Sequence, residues 1–307
     1  MPNRGCRQLN ESKMTNSLPV ILLLLSALMW GLTWWPLKAF NAVGIEGIPL
    51  ILVTYGVVGV SLLWLIVREW RQWQGRPYLL LLFFVLGGYA NLAFAIAMIY
   101  GDVVRAMMLF YLGPVWGVLG GRVFLAENID LQRWLGVLCA LIGAWLILGG
   151  VTIFASAPSS IDLLALTAGM AFALNNICFR ATQSHPTGSK VAAMFLGCGV
   201  FAAVLMPLQG HTLPVLSMTV WAGLLAFGLL WLLGATVATQ WSVTRMEAGR
   251  ASILLISELM VAVVSATLIG GETMSALELF GGALIFTSAI LEAWRHQPDP
   301  HDFAKPA

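Results

Sequence analysis

Runs of about twenty apolar residues, separated by short clusters of glycine, proline and charge, follow one another along almost the whole chain. A helix that crosses a bilayer needs about 20 such residues. The punctuation therefore predicts ten spans, over 18–40, 47–67, 78–100, 103–124, 134–149, 161–180, 190–206, 218–241, 248–269 and 277–294. A polar segment (1–17) precedes them, a loop rich in Ser, Ala and Pro (151–160) divides them five and five, and a polar tail (295–307) closes the chain. The apolar run after Ser17 leads into further spans, so it does not read as a cleaved signal peptide, and Met14 is an alternative start.

The fourth and ninth runs are versions of one another. Arg105 to Glu127 reads RAMMLFYLGPVWGVLGGRVFLAE, and Arg250 to Glu272 reads RASILLISELMVAVVSATLIGGE. Arg105 and Arg250, Glu127 and Glu272, and Gly136 and Gly281 are each 145 residues apart, and Asp102 and Glu247 share that register. An ungapped match of scarce charges marks an internal duplication, with repeats over 18–150 and 161–294. Five spans per repeat is an odd number, so the second copy starts on the opposite side of the membrane. The fold class that follows is an all-α polytopic membrane protein of ten transmembrane helices in two inverted five-helix repeats. Inversion of this kind is a transporter architecture, because two equivalent halves can exchange which side is open.

Composition sharpens this picture. Hydrophobic residues make up 59% of the chain and charged residues 10%, far below the quarter or so that covers a soluble domain. Of the 16 Lys and Arg, all but Lys38 and Arg105 fall on the side that holds the N-terminus. By the positive-inside rule both termini are cytoplasmic. Cys6, Cys139, Cys178 and Cys198 lack metal-site spacing and read as free thiols. The four histidines lie in loops or the tail, and no P-loop, HExxH or Gly-x-Ser-x-Gly pattern occurs. No metal, no cofactor and no nucleic-acid partner is expected, and neither is ATP hydrolysis. The expected partners are a small-molecule substrate, the bilayer and, as a candidate coupling ion, the proton. Either a monomer or a homodimer fits.

These residues carry a family resemblance. YGDVVRAMMLFYLGPVWGVLGGRVFLAE followed by Gly136 and Gly143 resembles the first EamA repeat of the drug/metabolite transporter superfamily. Trp241-Ser-Val-Thr-Arg-Met-Glu-Ala-Gly-Arg-Ala-Ser through Glu272 and Gly281-Gly282 resembles the second. The resemblance implies a ten-helix inner-membrane carrier that exports amino acids, related metabolites or toxic compounds. It also implies a central cavity, with spans 103–124 and 248–269 near the symmetry axis. The pattern departs in one place. The Glu-Pro pair common in the ninth helix is here Glu258-Leu259, while the fourth helix has Gly113-Pro114. A proline-assisted bend is expected at Pro114 alone.

Glu258 is the carboxylate placed deep within a span, where an ionised group must be protonated, paired or wet. It reads either as a proton-coupling or amine-binding group, or as a structural acid held by hydroxyls such as Ser257. Lys38 can snorkel from its helix end, and Arg105 can pair with Asp102 one turn earlier. The alternative for both is an outer gate, with Glu247 and Arg250 as the equivalent on the inner side. Trp34 and Trp35 suit an interfacial belt, and only one of the two can face inward. Tyr111 and Trp116 are candidates to stack on a substrate or hold an ammonium. Asn91, Asn175 and Asn176 either join helices or meet polar groups of a metabolite. The glycine pairs 87–88, 120–121 and 281–282 suit close helix packing.

The reading is a secondary transporter of an amino acid or related amphipathic amine, working by alternating access in the efflux direction. The alternatives are uptake, uncoupled facilitation or a non-transporting membrane subunit. A lipid-directed enzyme would need paired catalytic groups at one depth, which the spans do not offer.

Overall fold

The computed structural model describes residues 4–45, 47–125, 131–150, 158–243, 245 and 248–293. All regular structure among them is helical. The first half contains α1 (Arg4–Gly31), α2 (Trp34–Ala42), α3 (Gly47–Ser61), α4 (Leu63–Glu69), α5 (Pro77–Leu82), α6 (Gly88–Tyr100), α7 (Val103–Phe110), α8 (Gly113–Leu125) and α9 (Leu131–Ile147). The second contains α10 (Ser160–Ala181), α11 (Thr187–Leu208), α12 (Met218–Ala226), α13 (Leu233–Val243), α14 (Ala248–Leu268) and α15 (Ala276–Ala293). Among the described residues six helical runs are long and apolar enough to cross a membrane: Leu18–Ala42, Gly47–Gln72, Pro77–Tyr100, Ser160–Phe179, Thr187–Leu208 and Met218–Val243. Shorter apolar helices cover Trp134–Ile147, Leu254–Leu268 and Ala276–Leu291. The loop 151–157 and the tail from 294 lie outside the described residues.

The stretch expected as a fourth span is two helices, α7 and α8, that meet at Tyr111–Leu112. Pro114 has no N–H to offer the carbonyl four residues back, that of Phe110, and disfavours helical backbone before it. The Phe110 carbonyl lies instead against Gly169 of α10, so close that any side chain there would clash. The corresponding helix of the second half, α14, has no proline and runs unbroken. The first span is also interrupted, between Gly31 and Trp34, a break that the apolar pattern does not signal.

Two π-helical turns mark the third span of each half, at Phe83–Gly87 and Phe227–Leu232. Shifted by 145 residues, the first falls on 228–232, within the second. The helix starts Gly88 and Leu233, Val103 and Ala248, and Leu131 and Ala276 keep the same offset. The duplication is thus visible in the backbone as well as in the letters. A π turn widens the helix and aims carbonyls outward. That of Phe84 faces Gly197, and that of Gly87 accepts from Asn91 Nδ2 at 2.9 Å.

Glycine sets how closely the halves approach. A Cβ on Gly281 of α15 would lie 2.5 Å from the Gly143 carbonyl oxygen of α9, and a Cβ on Gly143 would lie 2.6 Å from that of Gly281. Gly136 lies beside Ser288, so the two helices run antiparallel. Exchanging Gly136 with Gly281 and Gly143 with Ser288 carries one contact onto the other. The equivalent helices α3 and α11 also run antiparallel, with Gly59 against the backbone of Leu196 and Gly199 against that of Gly56. Likewise α1 packs on α13 and α14, and α10 on α6, α7 and α8. Small residues at such crossings allow dispersion and packing to hold helices together without a hydrophobic drive from the lipid.

Candidate functional site

The break between α7 and α8 aims Tyr111 across the boundary between the halves. Its hydroxyl and the Glu258 carboxyl of α14 are hydrogen-bonded. Ser257, the hydroxyl next to Glu258, donates to the Leu254 carbonyl at 2.6 Å and so is not the partner of the acid. Gly31 of α1 lies against the Glu258 carbonyl, which lets α1 press onto α14 at this level. Glu258 corresponds to Gly113 in the 145-residue register, so the acid and the helix break occupy equivalent positions facing each other. Trp116, further along α8, has a buried indole N–H with no acceptor.

Asn91 and Asn175 form a separate group at the first π turn. Asn91 is committed to the Gly87 carbonyl. Asn175 of α10 is buried, with Nδ2 3.6 Å from Met194 Sδ and Oδ1 without a partner. The structure therefore divides the predicted cavity-lining residues into two clusters.

The end of the bundle that carries Lys38 and Arg105 holds an ionic network. Glu272, at the end of the α14 segment, accepts from the backbone N–H groups of Val103 and Val104 at 3.0 Å each. A carboxylate at the exposed N–H groups of a helix start is favourable. The same carboxylate pairs with Lys38 Nζ at 3.2 Å, and Lys38 also donates to the Gly101 carbonyl at 3.1 Å. Lys38 is therefore tethered rather than extended to solvent. The guanidinium of Arg105 grips Asp162 of α10 through two hydrogen bonds, 2.7 and 2.9 Å, and lies 3.6 Å from Glu278 of α15. This corrects the expected pairing with Asp102, whose carboxylate instead caps α7 by accepting from the Arg105 N–H at 2.8 Å. A side chain at the N-cap points back at the first turn, away from a long side chain leaving it.

Glutamine at position 272 keeps one acceptor oxygen for two N–H groups and loses the ion pair. Glu272→Gln should lower stability by about 1–3 kcal/mol, read as a lower thermal midpoint in detergent. An unchanged midpoint would show that the network carries no stability. The pKa of Asp102 is raised above its ordinary value, by partial burial and by the neighbouring carboxylates of Glu272 and Glu278, against the opposing bond from the Arg105 N–H. A raised folded pKa means that the folded form binds the proton more tightly, so stability falls as pH rises through the raised value. Asp102→Asn, which still caps, should flatten that pH dependence in thermal melts above the ordinary carboxylate range. A variant with the same slope as the parent chain would refute this source.

Trp34 and Trp35 separate as helix geometry requires. Trp34 is 4% exposed and donates through Nε1 to Ser265 of α14 at 2.9 Å, while Trp35 is 53% exposed. The role of Trp34 in this structure is to bind α2 to α14. The opposite end has a polar cluster of its own. Trp73 is fully buried, donates to Ser189 Oγ at 2.8 Å and lies with its ring tilted against that of His185 at 4.6 Å, while Glu69 caps α11 through the Ser189 N–H at 3.0 Å. Lys190, counted from sequence among the cations on the side of the N-terminus, is buried. It donates to the Thr182 carbonyl at 2.6 Å between the faces of Phe83 and Phe179.

Glu247 and the side chains of Arg250 and Pro114 lie outside the described residues. Sequence reasoning missed Asp162, Glu278 and Trp231, the last of which donates to the Met29 carbonyl at 3.0 Å. The two acids carried a signal. Each sits three residues after a serine at a helix start, Ser159 and Ser275, the spacing of a capping box. Among the described residues no cluster of His, Cys, Asp and Glu could hold a metal.

Comparison with known proteins agrees with this architecture. An uncharacterised transporter of Archaeoglobus fulgidus is 26% identical over 222 residues, which is 72% of this chain and 78% of that one. One crystal structure shares the fold at 16% identity and a TM-score of 0.58, covering 89% of this chain and 96% of its own. Residues 17–149 and 159–293 each match the description "EamA-like transporter family". Two matches that together span nearly the whole chain, on the two halves seen in both letters and backbone, make it a member of the EamA-like transporter family.

Proposed function

We propose that the protein is a secondary transporter whose two inverted five-helix halves give alternating access to a site at Glu258. It moves a small organic metabolite, an amino acid or related amphipathic amine, outward across the inner membrane, with both termini in the cytoplasm. The observation that carries this reading is the bond between Glu258 and Tyr111 across the boundary of the halves. A carboxyl at that depth is costly unless it serves a cation or a proton. The antiparallel, exchangeable contacts of α9 with α15 and the antiparallel packing of α3 on α11 support the inversion. The asymmetry of Lys and Arg supports the orientation.

In this mechanism the network of Lys38, Glu272, Arg105, Asp162 and Glu278 is the gate on the far side. It joins the helix ends of α2, α7, α10, α14 and α15, and outward opening must part at least one of its ion pairs. An ammonium group entering near Glu258 replaces Tyr111 as the partner of the acid, and the unpaired Trp116 N–H is available to an acceptor on the substrate. The proposal is tested by flux of labelled amino acids and organic cations into and out of proteoliposomes, with and without a pH gradient. Saturable flux that grows with the gradient is expected. Saturable flux indifferent to the gradient would favour a facilitator, and absence of flux across the panel would favour a non-transporting subunit.

A further inference from the structure

A groove of about 270 Å³ opens between the second, seventh and eighth spans, at the end of the bundle where Lys and Arg accumulate. Its walls are Leu62 and Leu65 on α3–α4, Val191 on α11, and Leu233 and Val237 on α13, with Trp241 at its end. The volume falls below the 300–1,000 Å³ or so of sites for compact organic ligands, and the lining is almost wholly apolar. Both features suit a slender hydrocarbon chain. The groove lies away from Glu258 and Tyr111.

What selects the occupant is charge at the mouth. Arg68 stands one turn beyond Leu65, with its guanidinium over Trp64 at 5.6 Å, and Arg245 stands one turn beyond Trp241, over that indole at 4.1 Å. Both arginines are exposed. Indoles at this depth sit at headgroup level, and each fixes a guanidinium where a lipid phosphate would lie. The neighbouring acid, Glu69, lies beside Gly188 of the groove wall, where its carboxylate is engaged by the Ser189 N–H at the start of α11. Basic pockets between spanning helices on the cytoplasmic face bind anionic headgroups, and arginine is the residue suited to phosphate.

We propose that this groove is a binding site for one anionic diacyl phospholipid, with an acyl chain along Leu62, Leu65, Val191, Leu233 and Val237 and its phosphate between Arg68 and Arg245. The lipid would tie the second and seventh spans to the eighth, joining helices of both halves on the same side of the membrane.

The test is native mass spectrometry of the detergent-purified full chain, titrated separately with dioleoyl phosphatidylglycerol and dioleoyl phosphatidylcholine. One phosphatidylglycerol should be retained about 25-fold more tightly than phosphatidylcholine, at about fivefold per cation. Arg68→Gln/Arg245→Gln should remove that preference and leave the two lipids equal, while Arg68→Lys/Arg245→Lys should keep most of it. Thr236→Phe, which fills the groove, should weaken both lipids. Equal retention of the two lipids by the parent chain would overturn the proposal, and this comparison needs no variant to fold. Undiminished preference in the double glutamine variant would overturn it equally.

Discussion

Flux through the Glu258→Gln variant is expected to be the same with and without a pH gradient. Glutamine keeps the size and the hydrogen-bonding capacity toward Tyr111 but cannot change charge. An ionised acid at the centre of a spanning helix costs about 2.5–3.5 kcal/mol, which corresponds to about a hundredfold in an equilibrium. If that difference between charged and neutral forms drives the exchange between the two open states, gradient-driven flux should fall by about the same hundredfold. Tyr111→Phe removes one bond to the acid and leaves the acid able to titrate. It should lower flux by a smaller factor, about tenfold for a bond of about 1.5 kcal/mol, and preserve the response to the gradient. The two variants together separate a coupling role from a merely structural one. If Glu258→Gln retained the parental ratio of flux with gradient to flux without it, at each pH measured, the assignment of Glu258 as the coupling group would fail.

The second large effect is expected at Gly281. A leucine there would place its Cβ 2.5 Å from the carbonyl oxygen of Gly143 and 2.8 Å from the Ile147 side chain. The first obstacle is backbone, so no rotamer change relieves it, and α9 and α15 must separate. Overpacking of this kind costs typically about 1–3 kcal/mol, and here it also loses the reciprocal contact at Gly143. Gly281→Leu should lower the thermal midpoint clearly, whereas Gly75→Ala, with nothing within 4 Å of the added Cβ, should leave it unchanged. Equal midpoints for Gly281→Leu and the parent chain would mean that the two helices do not need this close approach.

The two predictions rest on different kinds of legibility. Glu258 stood out in the sequence because a carboxylate inside an apolar run is rare and costly. Gly281 was marked only by its repetition of Gly136, and the reason for it, the carbonyl of Gly143, lies 138 residues away in the chain.

By itself the sequence determined the helical class, the duplication, the membrane environment and the candidate acid. Each of these follows from local or periodic properties: the length of apolar runs, the 145-residue register and the scarcity of charge. Tertiary structure alone decided the partners. Arg105 could reach Asp102 by spacing, yet it meets Asp162, because Asp102 is spent on the helix start and α10 brings its first turn alongside. Glu272 was legible as the end of a motif, but its task of capping α7 requires the end of the ninth span to meet the start of the fourth. Lys190 counted toward the charge asymmetry between the two sides, and only the fold shows it enclosed by Phe83 and Phe179. Polar contacts between helices distant in the chain depend on which faces meet, and apolar periodicity in a membrane carries little information about faces, since lipid and protein interior are alike to a leucine.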